Sequence, residues 1–196
     1  MKKYLIAAAL SFLAATAHAA PETYTFDKEH TTVLFYINHL GYSDKIGQFR
    51  DYDGTLTLDR DKPENSSVEV TFKIAGVDSG SKLLDEHLQN EKWFNAAKFP
   101  EAKFKSTKVT VTGKNTADVT GNLALLGQEK PVTLKVVFHK AEAFPMDNTR
   151  FVAGFSARTS FKRSDWGMKE GIPYVGDEVR IVIETETIRK DEPAKP

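Results

Sequence analysis

Hydrophobic and polar side chains alternate most clearly over residues 31–59, TTVLFYINHLGYSDKIGQFRDYDGTLTLD. Val33, Phe35, Ile37 and His39 fall on one face and Leu34, Tyr36, Asn38 and Leu40 on the other, until Gly41 ends the run. With a second extended segment at 46–58, this period of two predicts a hairpin of long strands. Neither face of the first strand is charged, so both need cover. In the second member Phe49 is out of phase with Ile46, Leu56 and Leu58, whereas Tyr52 is in phase with them. A bulge within 50–54, eased by Gly54, would reconcile the two.

The same reading extends along the chain. A short strand at 23–26 precedes the polar turn Asp27-Lys28-Glu29-His30, and 60–67 is a turn by composition. Val68, Val70, Phe72 and Ile74 alternate with Glu69, Thr71 and Lys73, the pattern of a half-exposed strand. Asp78-Ser79-Gly80-Ser81 supplies capping residues for a helix at 82–88 with Leu83, Leu84 and Leu88 as its apolar stripe. A further turn then sets Trp93 and Phe94 against the sheet, and Phe99-Pro100 closes the insertion. Strands follow at 102–111, 117–126, 132–139, 149–161 and 178–188, with a longer connection at 140–148. Residues 162–177 form an irregular loop with exposed Trp166, Met168 and Tyr174, suited to folding over an opening. About eight strands joined mostly by hairpins predict an all-β fold. A closed antiparallel barrel removes the edge strands, and a two-sheet sandwich is the alternative.

Composition changes this picture in three ways. Residues 1–19, MKKYLIAAALSFLAATAHA, have a basic start, an apolar stretch at 4–15 and the small-x-small pattern Ala17-His18-Ala19. They read as a signal peptide cleaved before Ala20, too short in its apolar run to span a bilayer. The expected domains are therefore the leader at 1–19, one barrel at 20–190 and a polar tail at 191–196. Without Lys2 and Lys3 the mature chain holds 25 basic and 27 acidic residues, a balance that argues against nucleic acid as a partner. The chain has no cysteine, so an exported domain of this size holds together by packing and does no thiol chemistry.

Candidate chemistry is sparse. His30, His39, His87 and His139 lack the i,i+4 or i,i+2 spacing of a zinc site, and no metal is expected. His39 shares the apolar parity of Val33, Phe35 and Ile37, so its imidazole needs a hydrogen-bond partner or a ligand headgroup. Gly154-Phe155-Ser156-Ala157 is not a nucleophile elbow, and Asp51 and Asp53 share a strand face as solvated aspartates commonly do. Eleven aromatic residues, among them Tyr52, Phe151 and Phe161, are spread over nearly every element. In a filled barrel they form the core, and in a hollow one they line an apolar cavity. Alternation alone does not choose between these.

Several runs carry a resemblance. Asp27-x-x-His30, Asn38-His39-Leu40-Gly41, Gly47-x-Phe49-x-x-Tyr52-x-Gly54-Thr55-Leu56, His87-Leu88, Trp93-Phe94 and Phe99-Pro100 are followed by Gly121-Asn122-Leu123, Gly127 and Lys130-Pro131-Val132-Thr133-Leu134. Ala153-Gly154-Phe155 and Arg163-Ser164-Asp165-Trp166-Gly167-Met168 complete the set. In this order and spacing the mature chain resembles the YceI-like family of exported lipid-binding proteins. The resemblance implies an extended eight-stranded antiparallel, lipocalin-like barrel with a helical insertion around 80–96 and a tunnel for a long isoprenoid chain. It also implies a periplasmic location, a possible homodimer, and a polyprenyl quinone or related lipid as ligand, with no cofactor and no enzymatic activity. Envelope or acid-stress protection through a partner protein, lipid modification by an enzyme and a solid structural barrel are the rival readings. Carried to this chain, the tunnel residues are Phe35, Ile37, His39, Leu40, Phe49, Phe72, Leu84, Leu88, Trp93, Phe94, Phe104, Phe138, Phe155 and Trp166. His39, Tyr42 and Arg158 are the expected headgroup contacts. The chain departs from many relatives at Ser43-Asp44-Lys45-Ile46 and at Trp166, where phenylalanine is common.

Overall fold

The computed structural model describes residues 20–190, so the leader at 1–19 and the tail at 191–196 lie outside the described residues. The strands are β1 (Glu22–Phe26), β2 (Thr32–His39), β3 (Ser43–Phe49), β4 (Tyr52–Leu58), β5 (Ser67–Lys73), β6 (Val77–Asp78), β7 (Glu101–Gly113), β8 (Thr116–Leu125), β9 (Gln128–Phe144), β10 (Asp147–Lys162) and β11 (Val175–Arg189), with helix α1 (Lys82–Gln89) between β6 and β7. All pairings are antiparallel, and the ring β1-β4-β5-β7-β8-β9-β10-β11 closes where β1 meets β11. A closed eight-stranded barrel, not a sandwich, is therefore the fold. β11 is long enough to pair with β1 through Thr187 to Arg189 and with β2 through Val175 to Glu184. β2, β3 and β6 thus prolong the wall positions begun by β1, β4 and β5.

This arrangement revises the expected hairpin over 31–59. Its second member is two strands: β3 lies on β2 and β4 lies on β1, separated at residues 50–51. The break, not a bulge within 50–54, lets Phe49 and Tyr52 both face inward despite opposite parity. The neighbouring wall position breaks at the same height, where a 3₁₀ turn (Ile74–Gly76) separates β5 from β6. The Arg50 N–H donates to the Gly76 carbonyl at 2.9 Å and the Lys73 N–H to that of Asp51 at 2.8 Å, so the backbone groups freed by the breaks satisfy one another. A Cβ on Gly76 would lie 2.6 Å from the Asp51 Cβ, which makes glycine a steric requirement there. Residues 27–31, between β1 and β2, interrupt the third position, forming a transverse crease in this part of the wall.

From β7 onward the strands are longer than expected. The segment 140–148 is not a loop: β9 and β10 continue through it and turn at Pro145 and Met146. Its alternation is masked because Gly154 pairs with Lys140 while Phe155 pairs with Phe138, leaving His139 as an extra residue. Inward positions therefore run Val132, Leu134, Val136, Phe138 and then Ala141. A similar irregularity between Ser106 and Lys108 shifts β7 from Phe104 to Val109.

Helix α1 starts after Ser81, whose side chain makes no cap bond; the Asp85 carboxylate instead accepts the Ser79 N–H at 2.7 Å. Of the expected apolar stripe, Leu83 points to solvent while Leu84 and Leu88 face the barrel. Trp93 is buried, and Phe94 packs edge-on against Phe49. The expected exposed loop after β10 is packed inward in its first half: Trp166 and Met168 are 2% and 5% exposed, whereas Tyr174 and the rest of 169–174 are open to solvent. Two apolar clusters anchor the wall, one around Tyr24, Leu58 and Ala153 and one around Ile74, Phe104, Leu125 and Trp166.

Candidate functional site

The barrel is hollow. A cavity of about 1160 Å³ runs through it, from the β4–β5 connection and β7–β8 turn, at Arg60 and Lys114, to the β2–β3 turn and α1, at His39 and Leu84. It exceeds the roughly 300–1,000 Å³ of sites for drug-sized ligands. The faces of β2 are now assigned: Val33, Phe35, Ile37 and His39 point into the cavity.

Twelve of the expected tunnel or headgroup residues line this space: Phe35, Ile37, His39, Phe49, Phe72, Leu84, Leu88, Trp93, Phe94, Phe104, Phe138 and Phe155. Four do not. Leu40 sits in the β2–β3 turn with positive φ and is about half exposed, because the strand has already ended at His39. Tyr42, in the same turn, is 89% exposed. Arg158 has outward parity on β10, between the inward Ala157 and Thr159, and pairs with Glu184 on the outer wall at 3.2 Å. Trp166 is buried beside the cavity, not in its lining: its indole N–H donates to the Leu123 carbonyl at 3.0 Å and its ring meets Phe161 edge-on.

The lining extends beyond the expected tunnel residues. Tyr52 belongs to a chain of aromatic contacts, Phe26–Tyr52–Phe72–Phe49–Phe35, with neighbouring centroids 5.7 to 6.3 Å apart. Across from it the wall is mainly aliphatic, with Val109, Val119, Leu134 and Val136 from β7 to β9 and Val179, Ile181 and Ile183 from β11. The β11 residues had a legible signal, since they alternate with Glu178, Arg180 and Val182.

Several polar groups near the cavity are engaged within the protein. Trp93 Nε1–H donates to His87 Nε2 at 2.9 Å, which requires that nitrogen to be unprotonated. The guanidinium of Arg163 lies 5.1 Å over the Trp93 ring and donates to the carbonyls of Met168, Glu170, Val175 and Gly176. Arg163 is only 1% exposed, and burial lowers its pKa, yet the four carbonyls solvate the cation and fold the 163–176 segment around it. Asp177 secures the same segment by accepting from the N–H and hydroxyl of Ser164 at 2.9 and 2.8 Å. Tyr52 donates its hydroxyl to the Thr31 carbonyl at 3.2 Å. Among the described residues no buried side-chain nitrogen or oxygen lacks a partner.

The residues weighed for catalysis lie elsewhere. Ser156 is on the outer wall, 2.8 Å from His139 Nε2, and Asp53 is solvated in an ion pair with Lys28. Neither they nor Asp51 line the cavity.

The fold agrees with what the chain resembles. The YceI-like domain profile matches residues 24–187. A UPF0312 protein of Azotobacter vinelandii is 41% identical over 193 residues, covering 97% of this chain and all of the relative. Protein YceI of Salmonella arizonae is 38% identical over the same length, with the same coverage. Among solved structures, Campylobacter jejuni YceI has a TM-score of 0.72 at 25% identity, covering 97% of this chain and 100% of that one. A polyisoprenoid binding domain from Saccharophagus degradans shares the fold, with a TM-score of 0.65 at 11% identity over 87% of this chain and 99% of that one. The chain belongs to the YceI-like family.

Proposed function

We propose that this protein is a periplasmic, non-enzymatic carrier of long-chain polyisoprenoid lipids, such as polyprenyl quinones, held in the barrel cavity. The observation that carries the reading is the cavity of about 1160 Å³, walled by aromatic and aliphatic side chains. Apolar surface removed from water contributes about 25 cal/mol per Å², so a flexible prenyl tail gains affinity along its whole length. Selectivity then follows from cavity length more than from the headgroup. His39, at one end of the lining, is the proposed headgroup contact. The solved polyisoprenoid binding domain of the same fold supports this ligand class. The periplasmic location rests on the leader read at 1–19, and a homodimer is the assembly the family resemblance implies.

Native mass spectrometry of protein purified from the periplasm, followed by lipid extraction, tests the proposal. A co-purifying polyprenyl lipid, or uptake of added polyprenyl quinone by stripped protein, is the expected result. Consistently empty protein that takes up no quinone would overturn it. Phe155 lines the cavity 5.4 Å from the ring of Phe138, so Phe155→Asp is expected to abolish uptake while circular dichroism reports whether the barrel persists.

A further inference from the structure

On the outer wall at the edge of the crease, the structure brings together three groups from two distant parts of the sequence. Asp27 and His30 come from the turn between β1 and β2, and Glu186 comes from β11, where the inward residues are Thr185 and Thr187. Their ligand atoms all lie within 4.8 Å of one another, and Asp27 Oδ2 is 3.0 Å from His30 Nδ1. Ligands around a tetrahedral zinc ion, at about 2.0–2.2 Å from the metal, stand roughly 3.4 Å apart, so small side-chain rotations suffice.

The backbone already holds these groups. The Asp27 N–H donates to the Glu186 carbonyl at 3.0 Å, and the Thr31 hydroxyl donates to the same carbonyl at 3.2 Å. The Glu29 N–H donates to Asp27 Oδ1 at 3.0 Å, which orients the carboxylate and leaves Oδ2 toward the imidazole. The Glu29 contact, made to a carboxylate oxygen, is of the kind that orients metal ligands. The imidazole distinguishes this set from an ordinary solvated acidic patch.

We propose that Asp27, His30 and Glu186 form a surface site for a borderline divalent cation of the zinc class, with water completing the coordination. The ion ties the interrupted β1–β2 wall position to β11. The proton on His30 Nδ1 leaves to solvent as the metal takes its place. Arg150, 3.4 Å from Asp27 Oδ2, is the competing cation, and it has an alternative seat because its guanidinium also lies 5.2 Å over the Phe144 ring.

Arg150 makes the test discriminating. Isothermal titration of the purified chain with zinc chloride alone is expected to show a single ion bound per chain, and cobalt(II) in its place to show the visible absorption of a low-coordinate N/O site. His30→Ala and Glu186→Gln should each weaken binding about tenfold or more, while His139→Ala leaves it unchanged. Arg150→Ala should tighten it, since the competing charge is gone. No binding at submillimolar zinc, binding that survives His30→Ala and Glu186→Gln in folded protein, or weaker binding in Arg150→Ala would each overturn the assignment. The last result would identify the three groups with Arg150 as an ion-pair network.

Discussion

Between β7 and β11 the wall consists of five strands of 10 to 17 residues, whereas β1 to β6 are six strands of two to eight. The long arc absorbs its irregularities as local register shifts, among them those at Thr107 and His139, and keeps pairing on both sides of them. The short arc breaks altogether, its breaks lie side by side, and its inner face carries the chain of aromatic contacts centred on Phe49. One arc is a mainly aliphatic wall that follows from strand alternation. The other depends on specific close contacts, so substitutions matched in chemistry should have unequal costs in the two arcs.

The largest expected contrast is between two glycines. A Cβ at Gly76 would meet the Asp51 Cβ at 2.6 Å and its backbone nitrogen at 2.7 Å, and neither can retreat without undoing the Arg50–Gly76 and Lys73–Asp51 hydrogen bonds. Gly76→Ala is expected to cost about 3 kcal/mol or more. At Gly154, on β10, a Cβ meets nothing closer than 4.0 Å, and Gly154→Ala is expected to stay within about 0.5 kcal/mol. Urea midpoints of the two variants check the contrast, with unchanged slopes showing that stability alone has moved. Equal midpoints would mean the crease yields as readily as the open strand.

A smaller contrast concerns the rings. Phe49 contacts Phe35, Phe72 and Phe94 at 5.7, 5.8 and 5.9 Å between centroids, whereas Phe138 has one such ring contact, Phe155 at 5.4 Å. Both side chains face the cavity, so neither should reach the full cost of a close-packed Phe→Ala change. The additional ring pairs should make Phe49→Ala costlier than Phe138→Ala by about 1–2 kcal/mol. Thermal unfolding without added lipid measures this difference.

The two arcs also differ in how much of them was legible. In the long arc alternation marks the strands well, but a one-residue insertion reverses the parity, so β9 reads as ending at His139 when it reaches Phe144. In the short arc the out-of-phase pair Phe49 and Tyr52 signalled an irregularity. Whether it is a bulge or a break depends on which partners β3 and β4 choose, and that is a property of ring closure. The aromatic lining was legible through the family resemblance, since alternation alone leaves a filled core and a lined cavity equally open. Arg158, an expected headgroup contact, is directed outward to Glu184 by its parity. Arg163 had no periodic signal, since its four acceptors are backbone carbonyls brought together by the segment that it folds.

The smallest effect expected is a shared response to acid. On the short arc the carboxyl of Asp78 is held below its ordinary pKa by hydrogen bonds from the Arg50 guanidinium and the Gly80 N–H. On the long arc burial works against the charged form of Asp177, but the Ser164 N–H and hydroxyl, with the nearby Arg163 charge, outweigh it and lower the pKa. A carboxyl whose folded pKa lies below the unfolded one stabilises the fold fully above the unfolded value, near 3.9, and loses that contribution as pH falls through the folded value. As far as these groups decide it, melting temperature should therefore not change with pH near neutrality, where their contribution is complete, and should fall below about pH 4. Asp78→Asn and Asp177→Asn should each lower stability at neutral pH and flatten part of the acid limb. If Asp177→Asn alone flattens it, the acid response belongs to the segment folded around Arg163; if Asp78→Asn alone does so, it belongs to the crease.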